Sequence, residues 1–179
     1  FFQQLYNTVD SVIVGQFVGK EALSSVGGSA GQIISLVVGF FTGVSTGATV
    51  IISQYFGAGK KEEIEESLHT AYAFALVGGL VLGIAGIVFA PQMLRWMNTP
   101  EELIAESVLY VRVYFSGLIF IFIYNMGAAI LRAVGDSKRP LYYLIVCSVV
   151  NIILDLLLIL VIPLGVLGAA IATLIAQAV

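Results

Sequence analysis

The 179-residue sequence is 59% hydrophobic and only 11% charged, with a net charge of −3 and a mean hydropathy of +1.03. A soluble domain carries roughly 45–50% apolar and about 25% charged residues, so this composition excludes a water-soluble globule and makes lipid the solvent. No basic block points to nucleic acid, and the single cysteine, Cys147, lies inside an apolar run and excludes an intrachain disulfide.

The sequence opens at Phe1 inside one apolar segment, with no signal peptide, and closes inside another, as expected of a piece of a longer chain. Apolar segments cover about 1–18, 29–56, 71–94, 103–131 and 141–162, and a sixth runs from Gly165 to Val179, still incomplete. A hydrocarbon core of about 30 Å takes ~20 helical residues, which the complete segments reach. None shows the ~10-residue alternation of a barrel strand. The expected fold class is all-α, a polytopic transmembrane helical bundle forming one unit over residues 1–179.

Polar residues punctuate the segments. Gly57 to Glu63 closes the second, and Asn98-Thr99-Pro100-Glu101-Glu102 precedes the fourth, with Thr99 or Asn98 as the expected N-cap. Pro140 falls near the first turn of the fifth segment, and Pro163 separates it from the sixth. Lys60, Lys61, Arg132, Lys138 and Arg139 lie in the 2–3 and 4–5 connections, against Lys20, Arg95 and Arg112 in or near the 1–2 and 3–4 connections. This bias places the N-terminus and the two richer connections on the cytoplasmic side. The run Gly39-x-x-x-Gly43-x-x-x-Gly47 fits close helix packing.

Two acids, Asp10 and Asp155, sit inside apolar segments. A carboxylate at mid-bilayer costs ~2.5–3.5 kcal/mol by insertion scales, so such a residue normally faces a cavity, a partner or an ion. Asp10 lies ~14 Å, Asp155 ~10 Å and Thr173 ~12 Å along their segments from one membrane face, at about 1.5 Å per residue. Asn151 is one helical turn from Asp155 on the same face. Asp10, Asn151, Asp155 and Thr173 together offer only oxygen and amide groups, a set that suits a proton or a hard monovalent ion such as Na⁺, with Asp10, Asn151 and Asp155 as its candidate ligands.

Tyr110, Tyr114 and Asn125 are candidate cavity residues on the fourth segment, and Gln3, Gln4 and Asn7 share the face of Asp10 on the first. Phe40, Phe41 and Tyr124 suit a core or lipid-facing role better than a cavity wall, and His69 reads as solvated. There is no Walker loop, metal-spacing motif or nucleophile–base arrangement, so neither an enzyme nor a bound cofactor is expected.

Several runs carry a family resemblance. Leu5-Tyr6-Asn7-Thr8-Val9-Asp10 with Val14-Gly15-Gln16-Phe17-Val18-Gly19 resembles the first helix of the multidrug and toxic compound extrusion (MATE) family. Ile52 to Gly59 resembles the exit from its second helix, and Leu131 to Pro140 its fourth connection. Asn151-x-x-x-Asp155 and Gly165 to Ala170 resemble its fifth and sixth helices. The resemblance covers essentially the whole chain, in order.

It implies a first six-helix lobe of a twelve-helix, two-lobe antiporter, with the C-terminal lobe absent from the sequence. It implies export of amphipathic organic cations across the inner or plasma membrane, driven by H⁺ or Na⁺. It also implies a cation site at positions matching Asp10, Asn151, Asp155 and Thr173, and a fourth-helix tyrosine near it that Tyr110 or Tyr114 could supply. A lipid-linked sugar or peptidoglycan-precursor flippase of the same superfamily is the nearest alternative. It tends to need a cationic cavity, for which only Arg112 is placed. An uncoupled channel or scaffold is the alternative of another class, and paired buried carboxylates would be costly there.

Overall fold

The computed structural model describes residues 27–162 and 164–179, with Val12 and Gln16 as single positions before them. The segment expected over 1–18, with Gln3, Asn7 and Asp10, lies outside the described residues. Among the described residues there are six α-helices and no strand: α1 Ser29–Gly57, α2 Lys61–Trp96, α3 Glu101–Ser116, α4 Leu118–Ala133, α5 Lys138–Leu156 and α6 Val166–Ala178. A wide π turn, Leu157–Val161, continues α5. Helices α1, α2 and α5 are each long and apolar enough to cross a bilayer, and α3 with α4 makes one further crossing bent by 49°.

The elements depart from the expected segments in informative places. Helix α2 starts at Lys61, ten residues before the apolar run expected over 71–94. Its first turns hold Glu62, Glu63, Glu65 and Glu66, good helix formers that also complement the positive end of the helix dipole. Hydropathy marks where lipid begins, not where the helix does. The segment expected over 103–131 is broken at Gly117, whose N–H bonds the Tyr114 carbonyl at 3.1 Å in a tightened turn. Leu174 of α6 fills the space a Cβ at Gly117 would need, so the bend admits α6.

The expected N-cap of α3 is also corrected. Neither Asn98 nor Thr99 caps it; Pro100 takes that position with no side-chain hydrogen bond. Asn98 instead adopts φ +53° and ends α2: its N–H bonds Arg95 O at 3.0 Å and that of Thr99 bonds Leu94 O at 3.2 Å. This Schellman pattern recurs after α1 at Gly59 and after α4 at Gly135, both with positive φ. The Asp136 carboxylate then accepts the N–H groups of Lys138 and Arg139 at 3.1 and 3.2 Å, covering the start of α5.

Helix α2 runs through the middle of the packing, against α1, α3 and α4, while α5 pairs with α6 and α6 closes on α3 and α4. Phe41 of α1 stacks on Phe122 of α4 with centroids 3.3 Å apart, so Phe41 is core. Phe40 beside it is exposed. The Thr49 hydroxyl donates to Ala129 O across the same interface at 3.2 Å.

Among the described residues, close approach is made by α2 rather than by the Gly39/Gly43/Gly47 run. A Cβ at any of those three meets no described atom within 4 Å, whereas one at Gly79 would lie 2.9 Å from Ile119 Cα, and one at Gly86 would overlap the Phe115 ring. Pro91 lies inside α2 and cannot donate to Ile87 O. Arg112 of α3 does so instead, through Nε at 3.1 Å. On the other side of α2, Val77, Leu80, Val81, Ile84, Val88 and Phe89 are all more than half exposed, a face suited to lipid.

Gly79→Ala, which forces a Cβ against backbone, is expected to cost ~1–3 kcal/mol and lower Tm in detergent. Gly43→Ala is expected to leave Tm unchanged or raise it. The reverse order would contradict the packing of α2 on the α3–α4 bend.

Candidate functional site

Asn151 and Asp155 sit one turn apart on α5 and are both 0% exposed; Thr173 on α6 is 6% exposed. They are the polar members of an otherwise apolar interface. The structure therefore brings three of the four candidate cation residues together; the fourth, Asp10, lies outside the described residues.

The Asn151 amide couples the two helices. With its nitrogen toward the carboxylate, Nδ2 donates to Asp155 Oδ2 at 2.9 Å and Oδ1 accepts from Thr173 N at 3.3 Å. The Thr173 hydroxyl donates to Ala169 O at 3.0 Å, which leaves its lone pairs available as acceptors. The oxygens of Asp155, Asn151 and Thr173 fit a hard monovalent ion. Among the described residues, no cluster of His, Cys, Asp and Glu could hold a transition metal.

Two backbone features position this interface. The helix widens into the π turn immediately after Asp155, with Ile162 N–H bonding Leu157 O at 3.0 Å. Such turns are frequent at functional sites. Gly168 lets α6 approach it: a Cβ there would lie 2.9 Å from Leu158 O. Neither was read from the residues. A glycine three residues after Gly165 was the available signal for the close approach, but an i→i+5 turn has no composition cue.

Tyr110 is buried in the core with Tyr114 packed against the same cluster, their rings 6.2 Å apart. Asn125 donates to Ile121 O of its own helix at 2.8 Å. His69 is exposed on α2. Sequence reasoning passed over a cleft of about 560 Å³ between α1 and α2, floored by Met126 of α4. The spacing of Glu63, Ser67, Thr70 and Phe74 on one face of α2 was its signal.

The MatE family model matches residues 1–157. The chain is 36% identical over 177 residues to the probable multidrug resistance protein YoeA of Bacillus subtilis, covering 97% of this chain and 38% of that protein. It superposes on a multidrug resistance MATE family transporter in its outward-facing conformation with TM-score 0.92, and on one in an inward-facing conformation with TM-score 0.90, at 29% identity. Each match covers 98% of this chain and 39% of the other. The chain thus spans about two fifths of the length of the relatives it matches.

Gly168→Ala is expected to push α6 off the π turn, separating Thr173 from Asn151 at a cost of ~1–3 kcal/mol, read as a lowered Tm in detergent. An unchanged Tm would show that Leu158 O does not set the α5–α6 spacing.

Proposed function

Because the chain belongs to the multidrug and toxic compound extrusion family of transporters, we propose that it supplies the cation-binding lobe of an H⁺- or Na⁺-coupled antiporter exporting amphipathic organic cations. The observation that carries this reading is the burial of Asp155, Asn151 and Thr173 in mutual contact inside apolar helices. A carboxylate so placed is costly unless it works on an ion or a proton.

In the unloaded state the Asn151 amide nitrogen donates to the ionised Asp155. On loading, a proton on Asp155, or Na⁺ held by the oxygens of Asp155, Asn151 and Thr173, takes over from that hydrogen bond as the partner of the carboxylate. Asp10 contributes a second carboxylate from the preceding segment. Loading biases the lobe toward one conformation and the exported cation biases it toward the other. Coupling requires each ligand to bind the two states unequally. The near-equal likeness to outward- and inward-facing structures supports a lobe that rocks as a unit against a second, C-terminal lobe about a central cavity.

The proposed site is a plasma or inner membrane with the N-terminus and the Lys60 end cytoplasmic. The flippase alternative needs cationic groups in the cavity. Among the described residues, the basic side chain placed away from a helix end is Arg112, whose Nε is committed to Ile87 O.

The test is efflux of a fluorescent organic cation from proteoliposomes holding the full-length transporter under an imposed Na⁺ or H⁺ gradient. Gradient-driven flux is expected, with Asp155→Asn reducing it at least about tenfold. Flux indifferent to both gradients, or untouched by Asp155→Asn, would overturn the antiporter reading.

A further inference from the structure

The cleft between α1 and α2 has a chemistry of its own. The two helices are antiparallel neighbours, and the cleft follows twelve residues of each, from Tyr55 back to Val44 on α1 and from Glu63 on to Phe74 on α2. That is ~16 Å along the helices at 1.5 Å per residue. Its mouth is polar and acidic, with Tyr55, Glu63 and Glu66, and its deep end is apolar, with Val44, Phe74 and Met126. A volume of about 560 Å³ falls in the range of small-molecule sites. Gly47 forms part of the wall, where a Cβ would meet no described atom within 4 Å. The missing side chain is part of what keeps the cleft open.

An ammonium group already sits against two of the residues that line the mouth. Lys60 Nζ lies 3.1 Å from Glu63 Oε1 and 5.9 Å from the centre of the Tyr55 ring. A carboxylate together with an aromatic face is a standard receptor for alkylammonium. The Lys60 side chain is 54% exposed and the Glu63 side chain 41%, so the pair is weak and exchanges readily. Glu63 lies in the polar first turn of α2, where its own backbone N–H and then Lys60 hold its carboxyl below the ordinary carboxylate range.

We propose that this cleft binds a free ammonium amphiphile, headgroup between Glu63, Glu66 and the Tyr55 ring and apolar body against Phe74 and Met126, with Lys60 as a tethered competitor for the headgroup position. It is a second site on the lobe, distinct from the α5–α6 cluster. Its charge and its gradient of polarity both match that occupant. In the proposed topology its mouth faces the cytoplasm, where an exported cation is collected.

The inference takes its occupant from the exporter reading, but its test requires no transport. Equilibrium binding of radiolabelled dodecyltrimethylammonium would be measured on the full-length transporter in phosphatidylglycerol nanodiscs, without any gradient. The Glu63→Gln/Glu66→Gln double variant is expected to weaken binding about tenfold or more, and Gly47→Leu to weaken it by filling the cleft. Lys60→Gln is expected to strengthen binding about three- to tenfold by removing the competitor, a gain that misfolding cannot produce. Binding unchanged or weakened by Lys60→Gln, or indifferent to the double variant, would overturn the proposal. So would loss of probe binding in phosphatidylethanolamine nanodiscs, which would make a lipid headgroup the occupant. Cleft binding without gradient-driven flux would fail the coupling reading alone, and flux without cleft binding would fail this one alone.

Discussion

The cost of a carboxylate in hydrocarbon governs this lobe. Asp155 is fully buried near the end of a helix whose neighbouring positions are Ile and Leu. Buried there, it must be solvated largely by its neighbours. Asn151, one turn away, reaches both Asp155 and Thr173, and so ties α5 to α6 at the depth where the charge sits. The π turn after Asp155 and the bare Cα of Gly168 serve that contact by letting the two helices close. The rest of the lobe supports them: α6 leans into the bend at Gly117, and the bend rests on the glycines of α2.

The same accounting of polar groups runs through the bundle. Pro91 deprives Ile87 O of its helical donor and Arg112 supplies another, so a basic residue inside an apolar helix here serves the backbone. Three helix ends close by the same Schellman bonds, around Gly59, Asn98 and Gly135. Asn151, Asp155 and Thr173 gather in the α5–α6 cluster, and Glu63, Glu66, Ser67 and Thr70 line the acidic cleft.

Much of this was legible from residue types and spacing. Long apolar runs disclose helices in lipid, and Asp155 stands out because nothing near it is charged. Asn151 and Thr173 follow from helical periodicity and depth. What escaped was decided by tertiary contact. The bend at Gly117 lies in an unbroken apolar run that reads as one segment, and only the seating of Leu174 explains it. The packing glycines of α2 could not be told from Gly39-x-x-x-Gly43-x-x-x-Gly47, which has the spacing of close approach but meets no neighbour among the described residues. Asn98 looked like an N-cap but ends the preceding helix, since Asn tolerates both positions. The early start of α2 was hidden because its first ten residues are helical but polar.

The central claim is that Asp155 exchanges a proton or a cation while buried. Infrared difference spectroscopy of the full-length transporter, as pH is stepped and Na⁺ is added, tests it most directly, with Asp155→Asn subtracted to isolate this carboxyl. The account predicts a carboxyl signal from Asp155 that changes reversibly with pH or with Na⁺ and is missing in the variant. An Asp155 signal unmoved by either would contradict it and leave the carboxylate as a fixed structural link between α5 and α6.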